Sequence, residues 1–329
     1  MLLKSVKVFA AASVLGSFLV APAWGAKVSM EAASTNSVVG LMPQAMASHW
    51  GKAGVDIELA LGQTLTKSLL KLGQGSLDVS VVPPPAYGAL VKGVGPYAAL
   101  GAKGADMAAN VRSLFGFSAS VYHPIVWADA GINSWSDIKG KRVFVGPPAG
   151  AANAQIRALV KSASGLEDGK DYEGVKAPWN SATASFKDGQ FDVHIVPVGL
   201  GAQVLVELGL TRNFRMLSLD ANAEPPKGLG MIKAMIPAGT YPGDVGKADV
   251  HSWQTVMTVM AKKDLSDDVA YTLTKTYFES LPVIRKGNDL LKDLNENQRF
   301  AGVLPPLHPG AVRYYKEQGI SIPAELMPK

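Results

Sequence analysis

Serine, threonine, asparagine and glutamine gather in this chain at a few short loops, each lying between an apolar run and a stretch of helical period. Ser34-Thr35-Asn36-Ser37 precedes Leu41–Trp50, and Gln63-Thr64 opens Thr64–Leu72. Gly146-Pro147-Pro148-Ala149-Gly150-Ala151-Ala152-Asn153 leads into Ala152–Ser164, and Trp179-Asn180-Ser181 stands before Ala182–Asp188. Backbone N–H groups at a helix start, joined by hydroxyl and amide side chains, can hold an anion without any lysine. Any one of these loops alone is better read as ordinary N-capping, worth about 1 kcal/mol. Their repetition at successive strand ends is what points to a ligand. Pro84 and Val198 stand at two further strand ends. Tyr87, Tyr122 and Trp179 supply aromatic walls of the kind that close over a small molecule, whereas Trp127, inside an apolar run, reads as core. Arg112 and Arg157 are the basic candidates for a carboxylate, with Arg157 better read as a solvated surface charge.

Catalytic patterns are scarce. The histidines (His49, His123, His194, His251, His308) show no i, i+4 pair and no metal-ligand spacing. Gly116-Phe-Ser-Ala-Ser120 lacks the closing glycine of a nucleophile elbow, and Gly93-Val-Gly95 lacks the third glycine of a dinucleotide fingerprint. No phosphate loop occurs. With no cysteine, thiol catalysis and thiolate-bound metals are excluded. The chain therefore reads as a binding protein without catalytic residues, metal or cofactor.

The elements that must carry these loops alternate. Lys27–Met30, Val55–Leu61, Asp78–Val82, Val121–Trp127, Arg142–Val145, Asp192–Pro197 and Trp253–Ala261 read as strands. The helical stretches between them, and Asp267–Ser280 after the last, complete an α/β pattern with buried, mainly parallel strands. One unit repeats. Gly75-Ser-Leu-Asp-Val-Ser-Val-Val-Pro83 and Gly189-Gln-Phe-Asp-Val-His-Ile-Val-Pro197 share Gly-x-apolar-Asp-Val-x-apolar-Val-Pro, about 114 residues apart. In each copy the glycine is expected to end a helix in a left-handed turn, the aspartate to open a buried strand and the proline to stop it. Chance recurrence of helix–Gly–strand units is the alternative. Two such copies imply two similar lobes aiming strand ends at one cleft.

The first residues carry Lys4 and Lys7, an apolar run from Val8 to Val20, and small residues at Ala21, Ala23, Gly25 and Ala26. This is the three-part pattern of a secretory signal, with cleavage expected after Gly25 or Ala26 and no cysteine for a lipid anchor. Removing Lys4 and Lys7 lowers the formal charge from +5 to +3 without leaving any Lys/Arg cluster, so nucleic acid is not an expected partner. A periplasmic, monomeric location and state follow as expectations.

Ile236-Pro-Ala-Gly-Thr-Tyr-Pro-Gly243 and Leu307-His-Pro-Gly-Ala-Val-Arg-Tyr-Tyr-Lys-Glu-Gln-Gly-Ile320 resemble the C-terminal half of the TAXI family, the solute receptors of tripartite ATP-independent periplasmic (TRAP) transporters. Asp137-Ile-Lys-Gly-Lys-Arg-Val-Phe-Val-Gly-Pro-Pro148 is similar to the start of that family's second lobe. The resemblance implies a two-lobed, type II-like periplasmic-binding fold with lobe one at 27–120 plus 229–329 and lobe two at 121–228. It also implies a TRAP-type membrane permease as partner and a small organic anion such as glutamate as ligand. Where the family reads Ser-Thr-Gly-Gly-Thr-Tyr-Tyr, this chain has Ser34-Thr-Asn-Ser-Val-Val-Gly40; where it reads Gly-Ser-Gly-Thr, this chain has Ala149-Gly-Ala-Ala-Asn153. Both departures remove hydroxyls, which favours a carboxylate less polar than glutamate. A sensory receptor of the same architecture, or an exported enzyme on the same scaffold, are the competing readings.

Overall fold

Two long strands hold the molecule together. In the computed structural model, which describes residues 25–35, 37–148 and 151–328, β4 (Val111–Trp127) and β10 (Val250–Lys262) lie antiparallel at the centre of one ten-stranded sheet. The first lobe adds β1 (Ala26–Glu31), β2 (Val55–Ala60) and β3 (Val79–Val82) in the order β2-β1-β3-β10. The second adds β5 (Arg142–Phe144), β6 (Glu173–Val175) and β7 (Val193–Val198) in the order β6-β5-β7-β4. The three outer strands of each set are mutually parallel, and each set meets its crossing strand antiparallel. The fold is thus a two-lobed α/β architecture with a mixed sheet.

Helices fill both faces. α1 (Val38–Lys52), α2 (Leu65–Gly73), α3 (Pro84–Lys92), α4 (Lys103–Ala108), α8 (Asp267–Gly287) and α9 (Pro309–Glu317) cover the first set of strands. α5 (Ala152–Ser164), α6 (Trp179–Lys187) and α7 (Gln203–Thr211) cover the second. The short β8 (Phe214–Met216) borders β4, and β9 (Met231–Ile236) borders the first half of β10. Ile236, Tyr241, Val250 and Trp253 are buried in the cores around Val126, Phe144 and Ile195, whereas Met257 and Val259 belong to the core around Met42 and Phe115. No helix among the described residues is long and apolar enough to cross a membrane. The signal-like segment up to residue 24 lies outside the described residues.

The repeated unit has the same stereochemistry in both lobes. Gly75 (φ +74) and Gly189 (φ +69) are left-handed. The N–H groups of Gly75 and Ser76 return to the carbonyls of Leu72 and Lys71, and those of Gly189 and Gln190 to Phe186 and Ser185. Both helices therefore end in the same Schellman closure. Asp78 and Asp192 stand one residue before β3 and β7. The Ser29 N–H and hydroxyl both donate to Asp78 Oδ2 at 2.8 Å, and the Arg142 N–H donates to Asp192 Oδ2 at 2.9 Å. Each carboxylate thus tethers the neighbouring strand, and each has a cation: Lys262 Nζ is 3.0 Å from Asp78, and the Arg142 guanidinium 2.8 Å from Asp192. Partial burial works against ionising Asp78, but the Ser29 and Lys262 bonds outweigh it and hold its carboxyl below the usual carboxylate range. Asp78→Ala is expected to cost about 2 kcal/mol, the scale of hydrogen bonds to a charged group. A urea midpoint unchanged from wild type would show the tether to be dispensable.

The prolines of the repeat differ. Pro83 ends the first copy as the residue before α3, but Pro197 does not stop the second: β7 continues to Val198, with Pro197 opposite Tyr122 of β4. β5 pairs with β7 only at Val193 and His194, so at Pro197 the strand is bordered on one side. A missing N–H is tolerated there as on an edge strand.

Candidate functional site

The two lobes meet where the crossing strands are irregular. Gln254 faces Val121 and Val256 faces Ser118, so the ladder slips by one residue and β4 bulges at Ala119 and Ser120. The Thr255 hydroxyl repairs the gap, accepting from the Ser120 N–H at 3.1 Å and donating to the Ser120 carbonyl at 3.2 Å. Beside this bulge lies a cavity of about 190 Å³. Val38, Leu290, Asp293 and Leu294 line it from the first lobe, Gly199 and Leu200 from the second, Ala234 and Met235 from β9, and Ser118, Ala119, Val121 and Gln254 from the crossing strands. A Cβ on Gly199 would stand 3.1 Å from the Leu290 side chain, so the opposing walls are close to touching.

The lining is mainly apolar, and its polar groups are few. Ser118 donates its hydroxyl to the Asp293 carbonyl at 3.3 Å, and the Gln254 amide supplies a second polar side chain. Asp293 is the one charged residue among the described residues of the lining. Among the described residues no lysine or arginine lines the cavity. Arg112 donates to the carbonyls of Ala109 and Val111, and Arg157 is committed to Asp168 at 2.6 Å. The one charge of the lining is thus negative, and a negative head group would have to sit away from Asp293, against backbone N–H groups and neutral side chains. α1 starts on the cavity wall at Val38, and the Ser37 hydroxyl bonds back to the Ser34 carbonyl instead of capping the helix. Its first-turn amides and the positive end of its dipole remain directed to this end of the lobe.

The sequence-derived positions fall into three groups. Ser37 and Val198 immediately precede the lining residues Val38 and Gly199, and Pro84 is buried at the lobe junction, packed closely against Gly230 and Gly302. Ser34 and Thr35 lie in the turn leading to α1. Tyr87 and Tyr122 are drawn into cores: the Tyr87 hydroxyl donates to the Ala108 carbonyl at 3.4 Å, and Tyr122, fully buried, donates to Gln155 Oε1 at 2.7 Å. Gln63 is tied back to the Leu61 carbonyl, while Thr64 is exposed before α2. On the second lobe, Pro148, Trp179 and Asn180 are exposed, with Trp179 edge-on to Phe144, and Asn153 donates to the Pro147 carbonyl. None of these lines the cavity. Asn36, Ala149 and Gly150 lie outside the described residues. Trp127 is a core residue, stacked on Phe186.

Two buried histidines flank the second-lobe side. His123 Nδ1 lies 2.8 Å from the Val121 carbonyl and Nε2 lies 2.9 Å from the Tyr241 hydroxyl. His194 is surrounded by Phe144, Phe186 and Phe191, and its Nδ1 has no hydrogen-bond partner. Burial pushes the His123 imidazole down to about 4 and, with a smaller contribution from His123, that of His194 to about 3. Both are neutral at pH 7. Among the described residues no group of three or more His, Asp or Glu is arranged to hold a metal ion.

The fold has relatives among solved structures. The periplasmic sulfonate-binding protein SsuA from Methylobacillus flagellatus superposes with a TM-score of 0.54 at 13% identity, covering 90% of this chain and 88% of that one. The periplasmic aliphatic sulphonate binding protein SsuA from Escherichia coli gives a TM-score of 0.50 at 14% identity, over 89% of this chain and 83% of that one. A TRAP periplasmic solute binding protein from Ochrobactrum anthropi, at 0.47 and 12% identity over 89% and 88%, is too loose a likeness to bear on the transporter class. At these identities the likeness establishes the fold, that of two-lobed periplasmic binding proteins. The NMT1-like family matches residues 68–319, well over half of the sequence, and the chain belongs to that family.

Proposed function

We propose that the protein is a solute receptor that closes two lobes over a small organic anion and passes it to a membrane permease. The observation that carries this reading is the cavity at the bulged crossing strands, walled from both lobes. A bulge in adjacent strands supplies a bending point, and a ligand touching both walls stabilises the closed population over the open one. The lobes we assign are 25–120 plus 255–328 and 121–254, which moves the return from residue 229 to the middle of β10, where core membership changes. The bound molecule is an apolar monocarboxylate: its body lies against Val38, Leu200, Met235 and Leu290, and its acid group meets amides at the start of α1 and the side chain of Gln254. The permease is of the TRAP type, as the phrases Ile236–Gly243 and Leu307–Ile320 suggest, and the receptor acts as a monomer outside the inner membrane.

A second reading comes from the relatives, two of which are named for sulfonates. It would put a sulfonate in the same cavity and an ABC-type transporter behind it. One panel separates the two. Benzoate and short branched carboxylates are expected to raise the melting temperature, with dissociation constants confirmed by calorimetry. Stabilisation by glutamate alone would overturn the apolar-carboxylate reading, and stabilisation by alkanesulfonates alone would establish the second.

A further inference from the structure

The phrase Ile236–Gly243 is absent from the cavity lining, yet Tyr241 within it is 3% exposed and its hydroxyl is surrounded by polar groups of the 199–202 turn and His123. The Gly201 N–H donates to that hydroxyl at 3.0 Å; His123 Nε2 lies 2.9 Å away, and the Gly199 carbonyl 3.3 Å. The other ring nitrogen, His123 Nδ1, can only donate to the Val121 carbonyl at 2.8 Å, because a carbonyl only accepts. The tautomer is assigned on that contact. Nδ1 carries the proton, Nε2 is the acceptor, and the phenol donates to it. A directed chain results, from the Gly201 N–H through the Tyr241 hydroxyl and the His123 ring to the Val121 carbonyl. Both ends reach the cavity: Gly199 and Leu200 open the turn that contains Gly201, and Val121 belongs to the crossing strand. Gly201 is left-handed (φ +77), and Gly199-Leu200-Gly201 carries no polar side chain with which to fix the turn.

We infer that Tyr241 is a positioning residue for the ligand cavity: through its hydroxyl it sets the Gly199–Gly201 wall against Val121 without touching the ligand. The part that concerns ligand rests on the solute-receptor reading; the part that concerns the wall does not. Tyr241→Phe keeps the ring among Phe214 and His123 and removes only the hydroxyl. Hydrogen exchange followed by mass spectrometry is expected to show the amides of Gly201 and Ala202 exchanging at least tenfold faster, with α5 and α8 unchanged. Unchanged exchange at Gly201 and Ala202 would overturn the inference. Should the variant loosen throughout, the wild-type protein decides: side-chain nitrogen NMR is expected to find His123 as the Nδ1–H tautomer, and an Nε2–H tautomer would break the chain as drawn. With benzoate as probe, Tyr241→Phe is expected to weaken binding about tenfold at a temperature where the unliganded variant is still fully folded. Wild-type affinity in a variant with faster exchange would also overturn it. A wild-type protein that ignores benzoate counts against the proposed ligand and leaves the exchange and tautomer results to decide the wall.

Discussion

Gly209→Ala is expected to destabilise the protein by about 3 kcal/mol or more, the upper end of what overpacking costs. Gly209 lies in the last turn of α7, where a Cβ would stand 1.7 Å from the Pro242 carbonyl oxygen. The contact is reciprocal, since a Cβ on Gly243 would be 2.2 Å from the Gly209 carbonyl oxygen. Neither backbone can yield cheaply. The Gly243 carbonyl accepts the N–H of Phe214, a fully buried residue, and Tyr241 is anchored through its hydroxyl. Gly51→Ala is the control: it is exposed in α1 with nothing within 4 Å of its Cβ position. There alanine is expected to stabilise by about 0.5–1 kcal/mol, its helix-propensity advantage. Urea unfolding followed by tryptophan fluorescence reads both. A Gly209→Ala midpoint close to wild type would mean that the loop and the helix separate easily.

Acidification is expected to have an effect of similar size. An ordinary histidine titrates near 6.5, whereas His123 and His194 in the folded chain are held at about 4 and about 3 by burial. Between those values the unfolded chain binds protons that the folded chain refuses, so stability is full above pH 6.5 and falls as pH drops toward 4. From pH 7 to pH 5 the loss is about 2 kcal/mol for each imidazole. His308, lowered mainly by burial, acts in the same direction, and the carboxyl of Asp244, raised by burial, opposes it. Asp78 and Asp192 sit below the usual carboxylate range and contribute only at lower pH. His194→Leu should remove close to half of the pH 7-to-5 loss. At pH 7 the loss of the 3.3 Å contact between Nε2 and the Thr183 hydroxyl is offset by leucine's fit among the phenylalanines, where Nδ1 has no partner among the described residues. A urea midpoint that is flat between pH 7 and 5, or a variant with the full slope, would contradict this account.

Local chemistry was the legible part of the sequence. The helix Ala152–Ser164 has the bounds its periodicity implies, closed by a left-handed Gly165. The two glycine–aspartate units could be read because a helix stop and a strand tether each need particular residues. β4 was legible only over Val121–Trp127, since its first half passes through Gly116-Phe-Ser-Ala-Ser120, where Phe117 is the one large apolar residue and there is no alternation. Burial on both faces removes the alternation that would betray a strand. α8 runs past Ser280 and through Pro282 because Leu281 and Ile284 continue its buried face. The cavity was harder still. Ala119, Gly199 and Ala234 have no chemical signature, and only the slip between two distant strands makes them neighbours. Ser37, from one hydroxyl-rich loop, and Val198, at a strand end, each stand one residue from the wall of the candidate cavity, and the other loops do not line it. His123 and Tyr241 lie 118 residues apart, a separation at which no spacing rule operates.

The crossing strands also govern how the chain can assemble itself. The second set of strands is drawn from a single contiguous stretch, so its pairings close short loops. The first is sewn together from both ends of the described chain: the Trp50 indole donates to the Leu273 carbonyl across 223 residues, and the Tyr315 hydroxyl to the Leu114 carbonyl across 201. Closing such loops costs chain entropy before any contact repays it, which slows the pairing that depends on them. The half built from one uninterrupted segment can thus gather its core while the other still waits for α8 and α9. Until they arrive, the apolar faces of α1 and β1 are uncovered, and this interval is when the chain is most exposed to aggregation.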